Sequence, residues 1–165
     1  MQRTQPSPHL VTSQTMRQVL AGFPTGIAVV AAAVEGRIVG LSANSFTSVS
    51  LDPPLVSISF AHTSTSWPLL RAAPRWGISV LGEHQTQILQ ELRRPTRERF
   101  DRIDMDLDAG AAFVAGALAR LTVELDTEIE AGDHVLTLLR VLELRRDAEQ
   151  HPLVFFGSNA HRLAR

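Results

Sequence analysis

The chain of 165 residues contains no cysteine, no lysine and no tyrosine. Without cysteine it has no disulfide, no thiolate metal site and no cysteine nucleophile. Without lysine it has no pyridoxal Schiff base and no complete phosphate-binding P-loop; all sixteen basic residues are arginine. The missing tyrosine removes one common general acid. Histidine, aspartate and glutamate remain for proton transfer, and arginine for anions. No G-x-G-x-x-G occurs, which argues against a Rossmann dinucleotide fold. Charge of one sign is not in excess either: the formal net charge is −1, so there is no electrostatic footprint for nucleic acid or an anionic membrane. The longest apolar run, Gly26–Val34, is too short to span a bilayer. The opening "MQRTQPSPHL" lacks the apolar core of a secretory signal. These absences lead to the expectation of a cytoplasmic protein with a disordered lead over residues 1–11 and one domain over 12–165.

What is present is mostly strand material. A short helix is expected at Thr12–Phe23, capped by Thr12 or Ser13, with Met16, Val19 and Leu20 as its apolar stripe and Gly22 as its stop. Thr25–Val34 and Ile38–Phe46 read as strands around a hairpin turn at Glu35–Arg37, where Gly36 supplies positive φ. Asp52-Pro53-Pro54 must be a turn or an edge, since neither proline can donate to a ladder. Leu55–Phe60 is the next strand, Ser64–Pro74 a capped helix and Trp76–Leu81 another strand. Glu83–Arg102 reads as helix broken near Pro95, and Met105–Gly116 as loop. Ala119–Glu130 and His134–Arg145 form a hairpin joined by "AGD", and "HPLVFF" is a last short strand. The fold class is therefore mainly β with flanking helices: an antiparallel sheet closed into a small barrel.

The unusual stretch is "GLSANSFTSVSLDPPL", Gly40–Leu55, where small hydroxyl and amide side chains crowd between two core segments. It is either a polar turn, for which these residues are ordinary, or a ligand cradle. A flavin or nucleotide needs neutral donors and acceptors along its ring and chain, and hydroxyl and N–H donors at its phosphate.

These residues carry a resemblance. "FPTG" (Phe23–Gly26), "SANSFTSVSLDPP" (Ser42–Pro54), "GDH" (Gly132–His134) and "PLVFFG" (Pro152–Gly157) occur in that order, and the chain from about Met16 to Leu163 resembles the flavin reductase-like family. The resemblance implies an antiparallel split β-barrel, the FMN-binding split barrel, and a homodimer with flavin at the subunit boundary. It also implies an NAD(P)H:flavin oxidoreductase that uses NADH or NADPH to reduce FMN or FAD for a partner monooxygenase. Carried onto this sequence, it places Thr25, Ser42, Ala43, Asn44 and Ser45 along the flavin ring and ribityl chain. Ser48, Val49 and Ser50 continue that wall, Phe60 and Ala61 line the next edge, and Ser64 and Thr65 meet the phosphate at a helix N-terminus. Phe100 lies near the flavin, and His134 is the catalytic candidate, beside the nicotinamide.

Simpler readings stand beside these. His134 is also an ordinary residue after a Gly-Asp turn. The basic run "RRPTRERF" (Arg93–Phe100) is a solvated helix face or a contact for the adenylate and phosphates of FAD or NAD(P)H. Trp67 and Trp76 read as packing residues. His62, His84, His151 and His161 show no ligand spacing, so no metal is expected. The sequence departs from the family at Ser79, Val123 and Ala160, and the segment Met105–Val114 matches it poorly; Ala160 and this segment leave the nicotinamide side less defined than the flavin side. Two other functions remain open: a flavin-binding module without turnover, and a split-barrel enzyme using flavin or a deazaflavin on an organic substrate.

Overall fold

The computed structural model describes residues 10–163; of the expected lead, residues 1–9 lie outside this range. Helix α1 spans Ser13–Leu20. Thr12 caps it in a reciprocal pair with Thr15, the Thr12 hydroxyl accepting from the Thr15 N–H at 3.1 Å and the Thr15 hydroxyl from the Thr12 N–H at 2.9 Å. Twelve strands follow in the chain: β1 (Thr25–Gly26), β2 (Ala28–Val34), β3 (Arg37–Ala43), β4 (Thr47–Leu51), β5 (Pro54–Ala61), β6 (Trp76–Val80), β7 (Met105–Asp108), β8 (Ala111–Val114), β9 (Ala119–Ala131), β10 (His134–Arg146), β11 (Leu153–Phe156) and β12 (Asn159–Arg162). Two short helices, α2 (Trp67–Arg71) and α3 (Thr86–Glu91), and a single 3₁₀ turn at Thr96–Glu98 complete the described elements.

The main sheet has the order β4-β5-β10-β9-β6-β2-β8-β7, with β3 on the other edge of β2, and all pairs are antiparallel. A second sheet, β1-β11-β12, lies beside it. Strand β2 shows why the chain has a continuous "IAVVAAAV" run rather than an alternation. Its Ala28, Val30 and Ala32 face one core cluster with Ile58, Phe60, Trp76 and Leu139. Ile27, Val29 and Ala31 face a second cluster with Leu81, Leu92, Phe100 and Leu153. A strand buried on both faces has no polar side to show. Inside the first cluster the Phe60 and Trp67 rings stack at 4.5 Å, and Trp76 meets both edge-on. The Trp76 indole N–H donates to Leu70 O at 2.8 Å, which satisfies its polar atom in the core.

Several expectations need correction. The barrel does not close. Its ladder runs from β3 through β2, β6, β9 and β10 to β5, and β3 and β5 are not strand partners. Side chains cross nearby: the Ser45 hydroxyl, just past β3, accepts the Ser59 N–H of β5 at 3.1 Å, and Ser66 Oγ, at the start of α2, donates to Gly40 O of β3 at 3.0 Å. The barrel is thus split, as the family resemblance implies, and the split falls at the Asn44–Phe46 corner. The segment Met105–Gly116 is not a loop but the β7–β8 hairpin, turned by Ala109 and Gly110 at φ 47° and 91°. A two-residue turn of this kind needs two positive φ values, and "DAG" is a weak signal for it. The helix expected over Glu83–Arg102 is broken near Pro95 as expected, but its two pieces are shorter, α3 and the 3₁₀ turn. Thr47–Leu51 is an edge strand on β5 and Asn159–Arg162 a second strand beside β11; neither is expected from composition. By contrast the Glu35–Gly36 turn, the β9–β10 hairpin and the strand at Trp76 stand where the pattern puts them.

Candidate functional site

Two clefts open where the barrel splits. The first, about 250 Å³, is walled by Ser42 and Ala43 of β3 and the following Asn44, by Leu89, Leu92 and Arg93 of the α3 segment, and by Ile27 and Phe155. The second, about 310 Å³, lies between Leu41 and the end of β5, with Ser59, Phe60, Ala61, Thr63, Ser64, Thr65 and Arg99 around it. No acidic residue lines either cleft, and each has one arginine. Such a lining suits a neutral ring system carrying an anionic tail.

Arg99 is held in place rather than waving in solvent. Its Nε donates to Arg94 O at 3.1 Å, and its Nη1 donates to Ser66 Oγ at 3.0 Å and Gly40 O at 3.4 Å. These bonds fix a planar cation at the cleft wall, the side chain best suited to a phosphate. Ser64 Oγ accepts the Trp67 N–H at 3.2 Å, which shapes the turn into α2. Because α2 has five residues, the Thr63–Ser66 turn and Arg99 carry more of an anion's contacts than a helix dipole does.

Thr25 supplies the test of fit for a ligand. Its Oγ1 is buried without a hydrogen-bond partner. Thr25 pairs with Phe155 across β1–β11, so the two side chains share a face, and Phe155 lines the first cleft. A buried hydroxyl left unpaired costs about 1–3 kcal/mol. A flavin held by neutral hydroxyls and amides would offer it a partner, so the residues present fit that group.

The sequence-predicted residues divide into groups. Ser42, Ala43 and Asn44 come together in the first cleft, and Phe60, Ala61, Ser64 and Thr65 in the second. The Phe60 ring is turned into the core against Trp67, which leaves its backbone to the cleft. The Ser45 hydroxyl is spent on Ser59. Ser48, Val49 and Ser50 lie on the edge strand β4 and line neither cleft. Phe100 is 8% exposed, belongs to the second core cluster and also lines neither.

His134 begins β10 directly opposite Ala61 of β5, so it stands one residue pair from the second cleft. Its Nδ1 is 2.7 Å from Asp133 Oδ1. That hydrogen bond first, then the charge of His134 and, more weakly, of His62, hold the Asp133 carboxyl below its usual range. His62 Nε2 is 3.2 Å from Glu130 Oε2 on the same rim. Among the described residues no three histidine or carboxylate side chains converge as a metal site does.

Sequence reasoning did not single out Phe155, Leu89, Leu92, Ser59, Thr63 or Ser66, and it saw Arg93 and Arg99 only as parts of a basic run. Phe155 lies in the "PLVFFG" landmark, which was the available signal. Two departures from the family have structural roles: Ser79 Oγ accepts the Val114 N–H at 2.9 Å, and Val123 is fully buried. Ala160 pairs with Phe155 on β12.

Comparisons with known proteins bear on the family and the fold. A family model described as a flavin reductase like domain matches residues 20–164. A flavin reductase of Pseudomonas putida is 34% identical over 148 residues, spanning 88% of this chain and 87% of that protein. The solved NADH:FAD oxidoreductase of Streptomyces globisporus C-1027 superimposes with a TM-score of 0.88 at 34% identity, over 97% of this chain and 100% of that one. The styrene monooxygenase flavin reductase from Pseudomonas putida S12 does so with a TM-score of 0.81 at 35% identity, over 90% and 96%.

Proposed function

Because the chain belongs to the flavin reductase like domain family, we propose that it is an NAD(P)H:flavin oxidoreductase that passes reduced FMN or FAD to a separate monooxygenase. The observation that carries this reading is the pair of acid-free clefts at the barrel's split, with an unpaired buried hydroxyl on Thr25, the strand partner of Phe155 in the first cleft. Bound nicotinamide and flavin would supply the hydride chemistry between them, so no protein nucleophile is needed.

The chain's own residues bind and orient. Asn44 presents an amide donor and acceptor to the flavin's polar edge, and Ser42, Thr25 and the backbone at Ala43 add further partners. Thr63, Ser64, Thr65 and Arg99 take the phosphate. One hydrogen bond contributes about 1 kcal/mol net, so the site works by summing several, and a flavin that leaves after reduction is compatible with that sum. His134 donates its Nδ1 proton to Asp133, which sets the ring and leaves Nε2 for the nicotinamide carboxamide or a proton at the reacting rings.

The active species in this reading is a cytoplasmic homodimer. Its support is the apolar surface that one copy leaves open: none of α1 is buried, and Val19 and Phe23 are 76% and 69% exposed. No helix among the described residues is long and apolar enough to cross a membrane. A steady-state matrix of FMN and FAD against NADH and NADPH tests the activity. Nicotinamide consumption that depends on added flavin supports it; consumption absent in all four combinations removes it.

A further inference from the structure

A cleft of about 280 Å³ shares no wall with the two at the split. It lies at the end of the β9–β10 hairpin opposite His134, where Arg146 pairs with Ala119. Gly116, Ala117 and Leu118 of the β8–β9 connection form one side. Arg120 of β9, Arg145 and Arg146 of β10, and Asp147 and Gln150 beyond it form the rest.

Its charge calls for an anion. Arg145 and Arg120 are direct partners in the ladder, and like charges so placed repel. Arg120 is already compensated: its Nη2 is 2.5 Å from Asp106 Oδ2 and donates to Val114 O at 3.1 Å, and its side chain is 11% exposed. Arg145 and Arg146 are exposed, and among the described residues neither is in an ion pair. The carboxylate in the lining, Asp147, is engaged elsewhere. It accepts from Gln150 Nε2 at 2.8 Å and from the Glu149 N–H at 3.0 Å, and these two bonds hold its carboxyl below the usual range. Two unpaired guanidinium forks suit a tetrahedral oxyanion. No aromatic ring lines the cleft to stack a base, so the lining fits the ion and not a nucleotide.

Hydrogen bonds connect this cleft to the first one. Gln150 Nε2 also donates to Gly116 O at 3.2 Å. The preceding carbonyl, Ala115 O, accepts from Gln85 Nε2 at 2.9 Å. Gln85 is buried, takes the Gly82 N–H at 3.0 Å on its Oε1, and leads directly into α3. The α3 segment supplies Leu89, Leu92 and Arg93 to the first cleft. An ion that steadies the Gly116 turn therefore steadies the start of α3.

We propose that Arg145 and Arg146 bind inorganic phosphate in this cleft, and that the bound ion tightens the flavin cleft through Gln85 and α3. The coupling rests on the flavin reading of the first cleft; the phosphate site does not. Linkage is reciprocal, so flavin favours phosphate by the same factor as phosphate favours flavin.

The test is calorimetric titration of the full chain with sodium phosphate, at an ionic strength held constant with sodium chloride. It compares the wild type, Arg145→Gln and an Arg145→Gln/Arg146→Gln double variant. Phosphate should bind about tenfold more weakly to the double variant, with the single variant between. FMN titrations then read the coupling. In saturating phosphate the wild type should bind FMN about fivefold more tightly than the double variant, and without phosphate the two should agree. Phosphate competing with FMN at the second cleft affects both proteins alike and cancels from this comparison. Absent phosphate binding, or binding unchanged in the double variant, overturns the site. Equal FMN affinities in phosphate overturn the coupling. ADP that binds more tightly than phosphate, and loses that binding in the double variant, overturns the assignment to the free ion. A wild type that binds phosphate but no flavin overturns the reductase reading, a result distinct from these.

Discussion

His134 and Ala61 face each other across the β10–β5 ladder, and the 2.7 Å hydrogen bond from His134 Nδ1 to Asp133 Oδ1 steadies the imidazole at the rim of the second cleft. In the proposed reading His134 serves the nicotinamide and not the flavin. His134→Ala should lower kcat/KM for NADH about tenfold while the flavin Kd stays nearly constant. Steady-state kinetics beside a flavin titration check this. Lost flavin affinity with intact nicotinamide kinetics would put His134 on the other ligand.

Asn44 and Ser45 are neighbours in one motif with different duties. Asn44 is exposed in the first cleft, so Asn44→Ala should weaken flavin binding roughly five- to thirtyfold, about 1–2 kcal/mol, at unchanged stability. Ser45 holds the Ser59 N–H across the split, so Ser45→Ala should cost about 1 kcal/mol or more of folding stability before any effect on flavin. Urea unfolding and flavin titration of both variants separate the two roles. A Ser45→Ala protein of wild-type stability would contradict the bridge.

Gly40 links the fold to the site. A Cβ there would meet Val30 O at 2.2 Å, and Gly40 O accepts from both Ser66 and Arg99. Gly40→Ala should cost roughly 1–3 kcal/mol from overpacking and loosen the second cleft as β3 shifts. Thermal unfolding should show a Tm several degrees lower, together with weaker flavin binding. A variant with wild-type Tm would show that β3 has room the structure does not display.

Asp126 gives a pH signature. The Thr127 hydroxyl first, then the Arg140 guanidinium at 2.5 Å, hold its carboxyl below the usual range. A depressed native pKa stabilises the fold above the unfolded value, near 3.9, and that contribution fades as pH falls through the native value. Asp126→Asn should therefore lower Tm at neutral pH, and the gap from wild type should narrow in acid. A gap that persists unchanged well below the carboxylate range would exclude the ion pair as its cause.

Much of the fold was legible because its strands carry strong local signals. The apolar run of β2, the Glu35–Gly36 turn and the long hairpin around Gly132 are each specified by residues close in sequence. The β7–β8 hairpin was not, since Ala109 is a poor marker of positive φ and Asp106, Leu107 and Asp108 stay exposed. The site was legible in its polar wall. Its other wall is assembled from Leu92, Arg93, Arg99 and Phe155, which are brought together only by tertiary packing. Ser45 and Phe100 show the converse: a motif names residues near a site, and the hydrogen bonds and the core decide which of them face it.

Anaerobic mixing of the purified chain with NADH and FAD tests hydride transfer most directly. A flavin reductase will bleach the flavin's visible absorbance in proportion to NADH, and will do so over many equivalents of added FAD. Flavin that binds but keeps its oxidised spectrum under excess NADH and NADPH would contradict the assignment and leave a flavin-binding barrel without turnover.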